Sequence, residues 1–427
     1  MQQTVSHNAP SSAIVIPHFI FGGLTWLSVT LLIFFYPESV TQHFFNPQLL
    51  SITHLLVLGW ITMVIFGALY QLIPVILEVK LFSETVAVLT FILLASGTIL
   101  LALAFWNFWL GKTMYIAASI LFVAVGLFVT NIIITAKKSL KKSIEKKFIQ
   151  TSVIWLFFTV SVGVMLAINL THPFLSTPHL ELLKLHAHAG IVGWFLQLII
   201  GVASRLFPMF MVSHELTKKK LTLSYYLING GLALGILCLF FQWNVGIISA
   251  IILVISGVIS FLSFIAEAVK KRVKKQLDIG MKQSVISFLI LTISLIILLI
   301  LLVGTNYIEA MSISLIIGYG TTLLIGFISS LIMGQTYKTL PFIVWLKVYR
   351  GKVGKGKIPF PKDLYSEKIA IAQLWSFAIG FTLLLTGIFM VNEIFVRSGA
   401  TVLLFSVTLY NSNLLKIVFH KAKNSNG

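Results

Sequence analysis

Twelve apolar segments, each long enough to cross a lipid bilayer as one helix, dominate the sequence. A spanning helix needs about 20 apolar residues. Such segments lie at 14–35, 53–77, 85–108, 114–136, 149–169, 187–211, 222–241, 245–269, 283–303, 309–333, 369–392 and 399–417. Of the 427 residues, 58% are hydrophobic and only 10% are charged, which is far from the composition of soluble domains. We therefore predict an all-α integral membrane protein with a single transmembrane domain over residues 1–427.

Lysine and arginine are concentrated in every second loop between these segments. The basic clusters lie at 137–147, 218–220, 270–275 and 338–368, whereas the alternate loops contain almost none. Cytoplasmic loops of membrane proteins carry this excess. We therefore predict a multi-pass protein of the cell membrane with both termini in the cytoplasm. The net charge of +19 then reflects topology and attraction to the lipid bilayer, and no nucleic acid is expected as a partner.

A spaced pattern of residues recurs along the chain. Counted from His188, it has glycine at +5, tryptophan at +6, glycine at +13, leucine at +18 and proline at +20, and all six identities recur from His54. The glycines and the proline recur again from Thr321, at nearly the same interval along the chain, but there the histidine is missing. Such regularity indicates a triplicated unit, and we predict three quasi-repeats of four helices at 1–147, 148–283 and 284–427.

The two histidines of this pattern are the strongest candidates for a functional site. Each repeat has an even number of helices, so His54 and His188 lie on helices that cross in the same direction, in the outer third of the membrane. At about 100° per residue, the glycines and the proline share a face opposite the histidine, and glycine lets a neighbouring helix approach closely. Imidazole at membrane depth indicates a function and suits haem iron, copper or zinc.

The architecture resembles the catalytic subunit, subunit I, of the haem-copper oxidases, which has twelve helices in three quasi-repeats and histidines near the outer ends of the second and sixth. The segment LHAHAGIVGW, with His186 and His188, is similar to the WHAHE segment of the NnrS family, haem-containing membrane proteins linked to nitric-oxide stress. The resemblance implies a haem of unspecified type, with copper as the alternative metal. His54 and His188 would be metal ligands and His186 a further cofactor-binding residue, although it points about 160° away from His188.

The chain departs from the oxidase pattern at several ligand positions. Thr321 stands where the tenth helix of oxidases carries haem-ligating histidine, the seventh apolar segment lacks the two copper ligands that oxidases have there, and Val192 replaces the oxidase tyrosine. None of the twelve acidic residues lies in the middle of an apolar segment, whereas proton pumping commonly uses buried carboxylates. The sequence therefore argues against a complete proton-pumping oxidase.

Two arrangements of a single haem remain open. His54 and His188 could both be axial ligands, or one of them could hold the iron and leave a face for a diatomic gas near Gly318, Gly320 and Thr321. The function expected from either arrangement is redox or related to nitric oxide or oxygen in respiration, with a respiratory-chain partner.

Two other functions stay open as well. Twelve helices and internal repeats are also typical of membrane transporters, and an oxidase-like scaffold without oxidase chemistry would suit an assembly or interaction protein of a respiratory complex. The sequence does not decide whether the protein is an enzyme.

Polar residues elsewhere carry weaker expectations. His18, at the start of the first helix, is expected to cap that helix or to contact lipid headgroups. Gln71, Arg205 and Lys338 all lie at +17 in the repeat, at the cytoplasmic boundary, and we expect them to reach the headgroups.

The loop before the sixth helix contains His172, His179, Glu181 and Lys184. It is interpreted as a polar cap over the bundle, with a lid or an additional metal ligand as the alternative.

Overall fold

The fold is helical along the part of the chain that the computed structural model describes, residues 10–304, 309–352 and 358–422. Within these ranges twelve helices are long and apolar enough to span a membrane. They are α1 (Ser12–Phe35), α2 (Pro47–Leu77), α3 (Glu84–Trp106), α4 (Lys112–Lys137), α5 (Ile144–Asn169), α6 (His179–Met211), α7 (Lys219–Phe240), α8 (Asn244–Lys270), α9 (Ile279–Leu302), α10 (Ile313–Lys352), α11 (Glu367–Phe389) and α12 (Glu393–Val418). The protein is therefore a multi-pass membrane protein, as the apolar segments predicted.

Several helices are longer than their apolar segments. Helix α2 begins at Pro47, where the Asn46 side chain accepts a hydrogen bond from the Leu49 amide at 2.8 Å, a typical N-cap. Likewise α6 begins at His179 and not at 187, and α10 continues to Lys352. An apolar segment marks only the part of a helix that lies in hydrocarbon, and the backbone stays helical beyond it. The predicted position of the two termini concerns residues 1–9 and 423–427, which lie outside the described residues.

Two compact units make up the chain. The first contains Tyr70–Gly97 and Leu110–Gln276, and therefore α4 to α8. The second contains Ser11–Leu69, Thr98–Trp109 and the described part of Leu277–Gly427, and therefore α1 and α9 to α12. His188 belongs to the first unit and His54 to the second.

Three helices contain a π-helical segment of eight residues at the same place in the sequence pattern. The segments are Leu55–Thr62 in α2, Ala189–Leu196 in α6 and Thr322–Ser329 in α10. Each begins one residue after the starting point of the pattern, which is His54, His188 or Thr321. A π segment replaces the i→i+4 bonds by i→i+5 bonds; it is rare in proteins and frequently occurs at functional sites. The histidines therefore sit directly before an unusual stretch of backbone.

The turns after α3, α7 and α11 are also alike. Each has a left-handed residue that is not glycine, namely Phe108, Gln242 or Val391. In each, the next amide reaches back five residues: Trp109 to Ala104 at 2.8 Å, Trp243 to Cys238 at 2.9 Å and Asn392 to Gly387 at 2.8 Å. These are the hydrogen bonds of a Schellman-type helix end.

Buried amides hold the starts of two helices. Asn131 of α4 bonds through its side chain to both the amide and the carbonyl of Ser83, just before α3. Asn413 of α12 makes the same pair of bonds to Ser366, just before α11. Both asparagines have no exposed surface, and their donors and acceptors are satisfied by backbone, as burial requires.

Candidate functional site

His54 lies two turns into α2, at the last residue before the π segment. Its Nδ1 bonds to the Leu50 carbonyl, four residues earlier, at 2.7 Å. The ring is partly buried and stacks on Phe105 of the same unit, with 4.8 Å between ring centroids and 27° between planes. A carbonyl only accepts, so this bond requires the proton on Nδ1 and leaves the lone pair on Nε2.

His188 repeats the backbone bond of His54 on α6, in the other unit, but it is an exposed residue. Its Nδ1 bonds to the Lys184 carbonyl, again four residues earlier, at 2.8 Å. The residue is the last before the π segment Ala189–Leu196. Because α6 begins at His179, the histidine is more than two turns into the helix, and the acceptor carbonyl belongs to a formed turn. Both histidines are thus held in one tautomer and orientation, as is usual for metal-ligating imidazole.

The glycines of the pattern allow the close approach expected for them. A Cβ on Gly193 would lie 2.7 Å from Cγ of Trp155 in α5, and one on Gly201 would lie 2.8 Å from Cβ of Phe148 in the same helix. In the second unit, a Cβ on Gly67 would lie 2.6 Å from Cβ of His18 in α1. The prediction that the glycine face receives a neighbouring helix is therefore confirmed for these positions.

His186 lies two residues before His188 and has a different partner. Its Nδ1 bonds to the Thr159 carbonyl of α5 at 2.9 Å, and its Cε1 would be 2.9 Å from a Cβ on Gly163. Gly163 thus makes room for the His186 ring against α5, whereas His188 bonds within its own helix.

Gly318 and Gly320, two of the three positions expected to face a gas, differ in the space beside them. The Phe389 ring fills the space in which a side chain at Gly318 would lie, whereas a Cβ on Gly320 would meet no atom within 4 Å. Thr322, next to Thr321, donates its hydroxyl to the Gly318 carbonyl at 2.7 Å. The open space beside α10 is therefore at Gly320 and not at Gly318.

The structure contradicts the headgroup role expected for His18. This residue has no exposed surface, and its Nδ1 bonds to the Ile14 carbonyl at 2.8 Å. It packs beside Gly67 of α2. His18 thus bonds to the carbonyl four residues earlier, as His54 and His188 do. The sequence did not predict that this imidazole is buried. The available signal was Gly67, a small residue that leaves space for a ring on the neighbouring helix.

The headgroup explanation for the side chains at +17 is wrong for two of the three. Gln71 is 5% exposed. Lys338 forms an ion pair with Asp278 at 2.6 Å, with side chains 17% and 26% exposed. Only Arg205 of this set is exposed in the described structure.

The four polar residues expected in the loop before the sixth helix are divided between that loop and the helix. His172 lies in the loop, whereas His179, Glu181 and Lys184 lie in the first turns of α6. His172 Nδ1 lies 2.8 Å from the Tyr115 hydroxyl, His179 Nδ1 lies 3.3 Å from Asn169 Nδ2, and Glu181 pairs with Lys184 at 2.6 Å. Among the described residues, no three His, Cys, Asp or Glu side chains come together in a group that could hold a metal. The polar-cap interpretation of this loop fits these contacts best.

The chain matches no protein-family model, and no curated protein matches it. The histidines, the π segments and the charges of this chain are therefore the features that bear on its function.

Proposed function

We propose that this membrane protein binds a haem through His54, His188 or both, and that it has a redox or gas-related respiratory function short of a complete proton-pumping oxidase. One observation carries the proposal. The two histidines occupy equivalent positions of the repeated pattern, each directly before a π segment, and each donates Nδ1–H to the carbonyl four residues earlier. An axial ligand binds iron through a ring-nitrogen lone pair, and this tautomer has that lone pair on Nε2 while the other nitrogen bonds to a carbonyl.

The side chains fit a haem better than a metal held by protein alone. A porphyrin supplies four iron ligands, so one or two imidazoles complete the site. Zinc or copper sites built only from side chains need three or four such ligands together, and the described residues contain no such group. When bound, a haem would supply an iron that exchanges one electron or binds a diatomic gas.

The chain's own contribution would be to orient the imidazoles. The Leu50 and Lys184 carbonyls would hold the rings and raise the basicity of Nε2, as a carbonyl bonded to the other ring nitrogen does for a ligating histidine. Phe105, stacked on His54, restricts its ring further. His186 remains the third candidate for cofactor binding, and its bond to Thr159 also directs the lone pair to Nε2.

An oxidase-like arrangement of three quasi-repeats is part of this proposal. The three π segments and the three Schellman-type turns, at corresponding positions, support it. The basic-loop end of the helices would face the cytoplasm, with both termini. Transport and assembly roles are the alternatives, but the amides of Asn131, Asn229 and Asn413 bond to neighbouring helices or helix starts, which fits helix packing better than a polar pathway.

The test is an absorption spectrum of detergent-purified protein, oxidised and reduced, with haem and metal analysis. We expect a Soret band that is lost in the His54→Ala/His188→Ala double variant. The single variants His54→Ala and His188→Ala separate the two arrangements. Loss of the Soret band in each of them indicates two axial ligands, whereas loss in only one of them indicates a five-coordinate haem.

Two further variants serve as controls. His172→Ala removes a loop histidine and should leave the spectrum unchanged, whereas His186→Ala tests the third candidate directly. A colourless, metal-free protein from haem-supplied cells, or an unaltered spectrum in the double variant, would overturn the proposal and favour transport or assembly.

A further inference from the structure

A leucine in the most basic loop of the first unit is almost completely exposed. Leu140, between α4 and α5, is 97% exposed, and its neighbours include Lys137, Lys138, Lys141 and Lys142. Burying a leucine side chain is worth roughly 1.5–3 kcal/mol. A leucine with this exposure is therefore available to bury apolar surface against something outside the chain.

The loop is fixed in this conformation by several bonds. The Ser139 hydroxyl donates to the Leu77 carbonyl at 2.9 Å, and Lys146 Nζ donates to the Ser139 carbonyl at 2.7 Å. Lys141 pairs with Glu78 at 2.6 Å. These contacts hold both sides of Leu140, so its exposure is a property of the folded loop.

The position of Leu140 points to the bilayer surface. It lies three residues after Lys137, where α4 ends, and four before Ile144, where α5 begins. At no more than about 3.6 Å per residue, the side chain stays within roughly 15 Å of both helix ends. Phe82, 43% exposed and beneath the Lys138 ammonium at 5.4 Å, adds a second apolar group to this end of the unit.

The same arrangement recurs after the fourth helix of the next repeat. Val273 follows Lys270 at the end of α8, as Leu140 follows Lys137 at the end of α4, and it is 65% exposed. Its neighbours are again basic, from Lys270 to Lys275. A soluble partner would not need an exposed apolar residue at both of these helix ends, whereas a membrane surface would contact both residues.

We propose that the loop 138–143 is a binding site for anionic phospholipid. Leu140 enters the boundary between headgroups and acyl chains, and Lys137, Lys138 and Lys142 bind the lipid phosphate. An apolar side chain inserted among lysines is the usual composition of interfacial membrane contacts, and basic residues beside a spanning helix attract anionic lipid. This site depends on the membrane-spanning fold and not on the proposed haem.

The test places an environment-sensitive fluorophore on residue 140. Leu140→Cys is made in a Cys238→Ala background, because Cys238 is the single cysteine, and the full chain is reconstituted into nanodiscs of phosphatidylcholine with or without phosphatidylglycerol. We expect emission at shorter wavelength than that of the fluorophore–cysteine adduct in buffer. Brominated phosphatidylglycerol should quench it more strongly than brominated phosphatidylcholine.

Matched charge variants test the lysines. Lys142→Gln should reduce the preference for phosphatidylglycerol by up to about fivefold, and Lys142→Arg should keep it. Lys112→Gln removes one exposed lysine at the opposite end of α4 and should have no effect. High salt should weaken the preference by screening.

Two results would overturn the proposal. Emission equal to that of the free adduct would mean that residue 140 faces water or a soluble partner. Equal quenching by both lipids, or competition by inorganic phosphate as strong as by phosphatidylglycerol, would mean that the loop does not recognise anionic lipid.

Discussion

The indole N–H of Trp60 donates a hydrogen bond to the hydroxyl of Ser329 at 3.0 Å and joins the π segments of α2 and α10 within one unit. Trp60 has no exposed surface, and its ring stacks on Trp26 at 6.0 Å between centroids. The backbone after His54 is thus anchored to a neighbouring helix. This anchor gives the π segment of α2 a fixed position relative to Trp26 of α1 and to α10.

Ser329→Ala should destabilise the protein. The variant leaves the buried Trp60 N–H without this acceptor, and an unsatisfied buried donor costs about 1–3 kcal/mol. The midpoint of thermal unfolding in detergent, followed by tryptophan fluorescence, measures the effect.

Ser330→Ala is the matched control for this loss. Ser330 is adjacent and equally buried, but its hydroxyl has no hydrogen-bond partner among the described residues. Equal midpoints for the two variants would contradict the importance of the Trp60 bond.

Gly193→Ala should destabilise α6 against α5. Its Cβ would lie 2.7 Å from Cγ and 2.8 Å from Cβ of Trp155, and forcing atoms into a packed interface costs about 1–3 kcal/mol. The Gly126→Ala variant provides the comparison, since its Cβ would meet only Phe157, at 4.0 Å, and alanine is the better helix former by about 1 kcal/mol. Unfolding midpoints should therefore fall for Gly193→Ala and stay level or rise for Gly126→Ala. A similar change in both would show that α6 tolerates a wider separation from α5.

The Glu78–Lys141 ion pair should give the protein an acid-side dependence of stability. The hydrogen bond from Lys141, at 2.6 Å, lowers the pKa of Glu78 below its ordinary value of 4.5. A carboxyl with a lowered folded-state pKa stabilises the fold above its unfolded-state pKa and loses this contribution as the pH falls through the folded-state pKa. Glu78→Gln should therefore lower the unfolding midpoint at neutral pH and have no effect at the acid end.

Glu215→Gln is the control that tests whether the pH dependence of stability arises from the Glu78–Lys141 ion pair. Glu215 shares the left-handed backbone of Glu78, with φ of 54° against 56°. Its carboxylate is in none of the ion pairs found among the described residues. A difference from wild type that stays constant across the pH range for Glu78→Gln would contradict the prediction.

The sequence predicts the twelve spanning helices because the length of an apolar segment is a local property of the sequence. It predicts the glycine contacts because their spacing places the glycines on one face of the helix. It does not predict the π segments, since Leu55–Thr62 has the same apolar composition as an ordinary helix. The burial of His18 depends on Gly67, and the ion pair of Lys338 depends on Asp278, which is distant in the sequence. Such partners follow from tertiary packing, which spacing within one helix does not report.

Lys338 and Asp278 should be energetically coupled, because each keeps the other's charge compensated in a largely buried position. Asp278→Asn retains a side-chain oxygen for the Met281 amide at the start of α9 and removes only the charge that faces Lys338. Each single variant, Asp278→Asn or Lys338→Met, leaves one charge without its counterion, and we expect a loss of about 1–3 kcal/mol, below the cost for a fully buried pair. The double variant should be more stable than the sum of the single losses predicts, with a coupling of at least about 1 kcal/mol in a double-mutant cycle of unfolding free energies. Additive losses would mean that Lys338 reaches the membrane surface in solution, as the spacing alone suggested.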